Sequence, residues 1–372
     1  MDRKRVLLGG ICLVEDKLEL LTKLARDEST GPKVGEKFKK GLYYTATPEG
    51  YKPIFKSLIT NKCVNDCKYC ANRSQNNIKR VEFTPEKFAK TIASLDELNR
   101  ISGAFISSGI YPSVNKAQEN LYKTAKLLRE KYKFTKYLHI KIMPGADIEL
   151  IRKCANLADR VSVNTETVGS KHLSSVAKKK NFNEILDTLS NISYESSNVI
   201  TQIMPGVVED TDYDLIKTAE SLYSTYNLKR VYYSAFRSED NEVQRDSESH
   251  QREYRLYQCD RLMKDYDFDI NEIFSSSKNL DLSLDPKANW AINNLDKFPI
   301  DINSTDKELL MKVPGIGPKT VDKIVSSRNN HKITKESIKG LRIPKKSRHF
   351  LEANGEYLGE GLDVNFIRGV LS

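Results

Sequence analysis

The chain is predicted to be α/β: six β/α units building a parallel sheet, followed by a small all-α domain. Three observations predict this. Strand-like and helix-like segments alternate through six units between Ile54 and Ser234. A loop carrying three cysteines follows the first of those strands directly. A Pro-Gly-Ile-Gly turn between two short helical patterns lies far downstream, in the most basic part of the chain.

Composition sets the class. The 372 residues are 39% hydrophobic and 30% charged, as in a globular protein of two or three domains. No run approaches the ~18 apolar residues of a membrane-spanning helix, so no membrane partner is expected. Asp2-Arg3-Lys4-Arg5 and the apolar stretch to Val14 imitate a secretory leader. However, Glu15 and Asp16 follow at once, and there is no small-residue cleavage site. The expected location is the cytoplasm. The net charge is +10, and eleven Lys and Arg against two Asp and Glu fall between Lys312 and His349. A basic patch confined to one region is an electrostatic footprint for nucleic acid.

The elements follow in order. Leu18, Leu20, Leu21 and Leu24 make an apolar stripe that predicts a helix over 15–30. Residues 32–51 mix Gly, Lys and Pro and read as a loop. Six short segments rich in β-formers and bounded by turn residues predict strands. They are Ile54–Thr60, Gly103–Ser108, Tyr137–Met143, Arg160–Asn164, Asn198–Met204 and Arg230–Ser234. Helical patterns separate them: Pro85–Asn99, Lys116–Lys131, Asp147–Asn156, Phe182–Ser190 and Thr211–Tyr226. Such alternation predicts a parallel sheet with right-handed crossovers. Residues 236–253 are polar and aperiodic and read as a loop, a candidate lid after the sixth strand; a helix carrying Tyr254, Tyr257, Leu262 and Met263 follows. The expected domains are an N-terminal helical extension (1–50), the barrel core (51–238), a bridging segment (239–298) and the C-terminal domain (299–372).

Cys63, Cys67 and Cys70 stand at C-x3-C-x2-C spacing. Three thiolates this close can ligate three irons of a [4Fe–4S] cluster and leave the fourth iron open. A zinc site would want a fourth ligand at matching spacing, and the nearest downstream histidine is His139. A disulfide fits poorly with an odd local count of three. Cys12, Cys154 and Cys259 lack ligand-like spacing, and the last two read as small buried hydrophobes.

The motif, with the aromatic Tyr69 before its last cysteine, resembles the signature of the radical S-adenosylmethionine (SAM) superfamily. That resemblance implies that Cys63, Cys67 and Cys70 hold a [4Fe–4S] cluster whose open iron chelates SAM, fed by an external electron donor. It also implies a six-unit open barrel whose site lies at the C-terminal strand ends. The SAM-contacting candidates are then Tyr69, Ser107, Ser108 and Gly109, Lys141, Asn164, Glu166 and Gln202. Ser107-Ser108-Gly109 departs from the Gly-Gly-Glu-like turn that superfamily members often place after the second strand.

The downstream turn resembles a helix-hairpin-helix motif. Ser304 or Thr305 is the expected cap of its first helix, which ends at Val313. Pro314-Gly315-Ile316-Gly317-Pro318 follows and opens a helix through Val321, Ile324 and Val325. Glycines allow a tight turn whose backbone N–H groups face a nucleic-acid phosphate. Gly315, Gly317, Lys319, Thr320 and Lys323 are the expected contacts. Residues 338–348 look like a degenerate second copy without the Gly-x-Gly turn, adding Lys345, Lys346 and Arg348.

Together the two halves resemble a family of radical SAM proteins assigned to DNA modification and repair. Its members tend to be encoded beside a partner often fused to a uracil-DNA-glycosylase-like domain. Three readings stay open: radical chemistry on DNA, the same on RNA, and nucleic-acid binding with a structural or redox-sensing cluster.

Overall fold

The computed structural model describes residues 17–25, 37–39, 42–47, 49–236 and 247–371. Contacts divide the chain into two units, 1–210 with 218–244, and 211–217 with 245–372.

The first unit is built on one eight-stranded sheet whose strands lie in sequence order. The strands are β1 (Lys37–Lys39), β2 (Leu42–Thr47), β3 (Gly50–Leu58), β4 (Gly103–Ser107), β5 (Tyr137–Lys141), β6 (Arg160–Ser162), β7 (Val199–Ile203) and β8 (Arg230–Tyr233). From β3 to β8 every neighbouring pair is parallel, which gives the six expected β-α units. The helices are α1 (17–24), α2 (Pro85–Glu97), α3 (Val114–Lys126), α4 (Ile148–Leu157), α5 (Ser170–Val176), α6 (Phe182–Glu195) and, from residue 218 on, α7 (Asp212–Tyr226), whose first turns belong to the second unit. Their starts follow local chemistry: the side chains of Thr84, Ser113, Asp147 and Asn181 each accept a first-turn amide. The apolar stripe of α2 buries Phe88, Ala89 and Ile92, with Phe88 against Phe55 of β3.

Within the expected loop 32–51, the described residues 37–39, 42–47 and 50–51 are strand. β2 pairs antiparallel with β3, Tyr43 opposite Ile54, and β1 with β2. Tyr43 is buried, and its hydroxyl donates to the Thr22 carbonyl at 2.9 Å. The segment 236–253 is not wholly a loop either. Residues 247–253 belong to α8 (Ser247–Asp265), and 237–246 lie outside the described residues. Cys12 and both ends of the helix expected over 15–30, residues 15–16 and 26–30, also lie outside them.

The second unit is helical, with α9 (Ile270–Ile273), α10 (Pro286–Ile292), α11 (Lys307–Lys312), α12 (Pro318–Asn330) and α13 (Val364–Leu371). A small sheet also forms from β9 (Ile300–Asp301), β10 (Leu351–Ala353) and β11 (Glu356–Tyr357). Its core stacks Phe268, Trp290, Phe298 and Phe350 edge to face. The cap of α11 is Asp306, which accepts from Leu309 N at 2.7 Å, rather than Ser304 or Thr305. The second hairpin copy is not α-helical: residues Ser337–Lys339 and Lys345–Phe350 form 3-10 helices.

Candidate functional site

The cysteine loop leaves β3 at the C-terminal edge of the sheet and is laced to it. Thr60 Oγ1 donates to the Val81 carbonyl at 2.9 Å. Buried Asn61 accepts from Val81 N and donates to the Lys79 carbonyl. Arg80 donates to four loop carbonyls, those of Asn61, Asn72, Arg73 and Asn76. Val64 N donates to the Ile110 carbonyl at 2.9 Å, which ties the loop to the turn after β4.

One cavity collects the expected residues. Cys63, Cys67, Cys70 and Tyr69 line it together with Ser107, Ser108, Gly109, Lys141, Asn164, Glu166 and Gln202. Its empty space, open mouth included, is about 1030 Å³. Sequence reasoning missed Lys180, Asn65 and Asn72, which also line it.

Lys180 joins the polar wall. Its ammonium lies 2.7 Å from Glu166 Oε1 and 3.1 Å from the Tyr69 hydroxyl. Asn164 bridges Glu166, at 3.4 Å, to the Lys141 ammonium. The chain Lys141–Asn164–Glu166–Lys180–Tyr69 thus runs from the ends of β5 and β6 to the cysteine loop. Burial alone would lower the Lys180 pKa; the Glu166 carboxylate, with Tyr69 and Cys67, outweighs it and holds the pKa well above the ordinary lysine range. Glu166 adopts φ +68, and its backbone is fixed by bonds to Gln202 and Met204. Non-glycine residues held in that region concentrate at functional sites.

The residues fit an iron–sulfur cluster with SAM. Burial pushes the Cys67 thiol up and the Cys70 thiol up to about 12, so metal binding must displace their protons. The Asn72 amide lies 3.4 Å from Cys70 Sγ, a contact of the kind that tunes cluster sulfurs. Asn72 Oδ1 is buried and has no partner among the described residues. Cys154 and Cys259 are buried, and Cys154 Sγ accepts from Gln118 at 3.1 Å.

The hairpin lies in the second unit. Val313 O accepts from Ile316 N at 3.1 Å, and Gly315 has φ +82, a type II turn with Pro314 leading. Among the described residues, the amides of Gly315 and Gly317 have no acceptor. Lys319, Lys323, Lys345 and Lys346 are exposed; Gly317, Thr320 and Arg348 are half-buried. The turn at Lys345–Phe350 packs on the hairpin, with Ser347 Oγ donating to the Pro314 carbonyl at 2.7 Å.

Comparison with known proteins agrees with both halves. Residues 57–222 match the model of the radical SAM superfamily, and residues 296–337 that of the helix-hairpin-helix motif. A search of the curated proteins gave no match. Among solved structures, the FeFe-hydrogenase maturase HydG from Carboxydothermus hydrogenoformans is 15% identical, with a TM-score of 0.48, over 57% of this chain and 51% of that one. Methylornithine synthase (PylB) is 15% identical, with a TM-score of 0.46, over 57% and 62%. Coproporphyrinogen III oxidase (HemN) from Escherichia coli is 13% identical, with a TM-score of 0.36, over 50% and 44%. The chain therefore spans about half the length of these structures. Among the described residues, no helix is long and apolar enough to cross a membrane. The chain thus carries a radical SAM domain, of a superfamily that binds a [4Fe–4S] cluster and SAM, and a helix-hairpin-helix motif.

Proposed function

We propose that the chain is a cytoplasmic radical SAM enzyme that performs hydrogen-abstraction chemistry on DNA, as repair or base modification. One observation carries the reading: three thiols and the polar strand ends converge on one cavity, in a chain that also holds a glycine hairpin with two unpaired amides. Cys63, Cys67 and Cys70 would hold the cluster, and the bound cluster with SAM would supply one-electron, hydrogen-abstracting chemistry. Glu166 and Asn164 present acceptors to the donors of SAM, and the Lys180 ammonium orients Glu166. The hairpin amides and the surrounding lysines grip backbone phosphates without reading sequence. A base inside a duplex cannot enter a barrel mouth, so it is extruded or presented single-stranded. An external donor supplies the electron, and a uracil-DNA-glycosylase-like partner belongs to the same reading.

The test is anaerobic turnover with SAM, reductant and duplex DNA, single-stranded DNA or tRNA, with mass spectrometry of digested nucleosides. Correct nucleic acid should accelerate 5′-deoxyadenosine release, and deuterium from a labelled nucleotide should appear in it. Preference for tRNA would replace DNA by RNA as the substrate. Deuterium from a protein or small molecule, with nucleic acid having no effect, would sink the proposal.

A further inference from the structure

The two unpaired amides of the hairpin belong to peptide units whose carbonyls are both held. The Pro314 carbonyl accepts from buried Ser347 Oγ at 2.7 Å. The Ile316 carbonyl accepts from the buried Lys287 ammonium, which enters from the first turn of α10. Both peptide bonds are trans, since the cis bonds are Tyr111–Pro112 and Phe298–Pro299. In a trans peptide the C=O and the following N–H point in opposite directions within one rigid plane. Holding the Pro314 oxygen inward therefore turns the Gly315 amide outward, and holding the Ile316 oxygen inward does the same for Gly317.

We infer that Lys287 and Ser347 are positioning residues that lock the hairpin's two peptide planes so that the Gly315 and Gly317 amides face an incoming phosphate. The inference rests on the nucleic-acid reading above and names residues that the hairpin sequence itself does not contain. Tyr266 completes the support. Its ring lies 4.6 Å from the Lys287 ammonium, and its hydroxyl lies 3.0 Å from the place a Gly317 Cβ would occupy. Burial pushes Lys287 down to about 7, against the pull of Asp285, so this lysine is retained at a cost in stability. A lysine kept only for packing would be replaced by an aliphatic side chain of the same length without loss.

The test uses the full chain with Lys287→Met, Ser347→Ala and Lys346→Ala, in binding to duplex DNA across a salt series. Glycine-selective amide resonances are followed in parallel. Lys287→Met should weaken binding by up to roughly tenfold, the size of one hydrogen bond. Its melting temperature should be kept or raised, and the slope of log affinity against log salt unchanged. Ser347→Ala should weaken binding by a smaller factor, again at constant slope. Lys346→Ala should reduce the slope by about 0.9, as loss of a direct phosphate contact does. The Gly317 resonance should move in Lys287→Met and that of Gly315 in Ser347→Ala. If the wild type binds no nucleic acid but each variant moves its own glycine, the nucleic-acid reading fails and the two clamps stand. If neither resonance moves, or if Lys287→Met lowers affinity only by lowering the slope, the inference is overturned.

Discussion

Gly109 sits where the turn after β4 meets the start of the cysteine loop, and replacing it with alanine tests how closely that junction must fit. A Cβ on Gly109 would lie 2.2 Å from the Lys62 carbonyl oxygen, 3.0 Å from its carbon and 3.2 Å from the Thr60 oxygen. Ordinary contact begins near 3.4 Å, so the Lys62 carbonyl must move away by about 1.2 Å. All three atoms are backbone and cannot swing aside. The junction is also tied on both sides, by Gly109 N to Thr60 O at 2.7 Å and by Val64 N to Ile110 O at 2.9 Å. Overpacking of this kind costs about 1–3 kcal/mol, and melting temperature falls by about 2–4 °C per kcal/mol in a domain of this size. Displacement of Lys62 is passed to Cys63, the next residue, whereas a cofactor site tolerates about 0.5 Å. Gly109→Ala should therefore lose most of its reconstituted iron and lower the melting temperature. Gly169→Ala is the control, because no atom lies within 4 Å of its Cβ position and its φ of 174 is extended. The assays are iron and sulfide per chain after anaerobic reconstitution, with thermal unfolding alongside. A Gly109→Ala protein with full iron and wild-type melting would refute the close-approach argument.

Three further outcomes are expected. Cys63→Ala, Cys67→Ala and Cys70→Ala should each abolish SAM cleavage and deplete the cluster, whereas Cys154→Ala and Cys259→Ala should keep it; iron analysis decides. Lys180→Met leaves the Glu166 side chain, 7% exposed, without its cation, which costs about 3–5 kcal/mol. Lys180→Met with Glu166→Gln should recover much of that loss in thermal unfolding, and no recovery would mean the pair is not coupled. Lys287 titrates near 7 in the folded chain and at 10.5 in the reference state. Between those values the unfolded chain binds the extra proton, so stability from this group rises with pH, by at most about 1.4 kcal/mol per unit. Asp285 and the Tyr266 ring face this lysine and must stay intact in the comparison. The wild type should therefore gain stability over Lys287→Met between pH 7 and 9, and parallel curves would contradict the assignment.

The barrel was legible because its strands are short β-forming runs between turn residues, and their order fixes the sheet once crossovers are right-handed. The first strand begins at Gly50 rather than Ile54, because pairing with β2 extends it. β2 itself was hidden in a window averaged over Gly, Lys and Pro. Its partner-dependent features, Tyr43 under the Lys56 ammonium at 4.0 Å and bonded to Thr22, are tertiary. The start of α8 was hidden for a related reason. Its first turns are polar, and Arg252 is held by an ion pair to Asp212, forty residues earlier, at 2.7 Å. The strands β9 and β11 have two residues each, too few to show an alternating pattern.

The candidate site divides along the same line. Residues at strand ends could be named in advance, because a parallel barrel brings every C-terminal strand end to one face, whatever the loops contain. Arg80, Lys180 and Lys287 had no such address. Arg80 and Lys287 act on backbone carbonyls, and Lys180 acts on a carboxylate and a phenol contributed by other segments. Nothing in the spacing around a lysine marks which carbonyl it will reach. Their common feature is physical: each is a long cation drawn at least partly out of solvent, where desolvation is tolerated only against fixed acceptors. In the barrel that arrangement fixes the thiol loop and the acidic end of β6. In the hairpin it fixes two peptide planes. In both places, cations distant in sequence set the directions in which the motif's groups point.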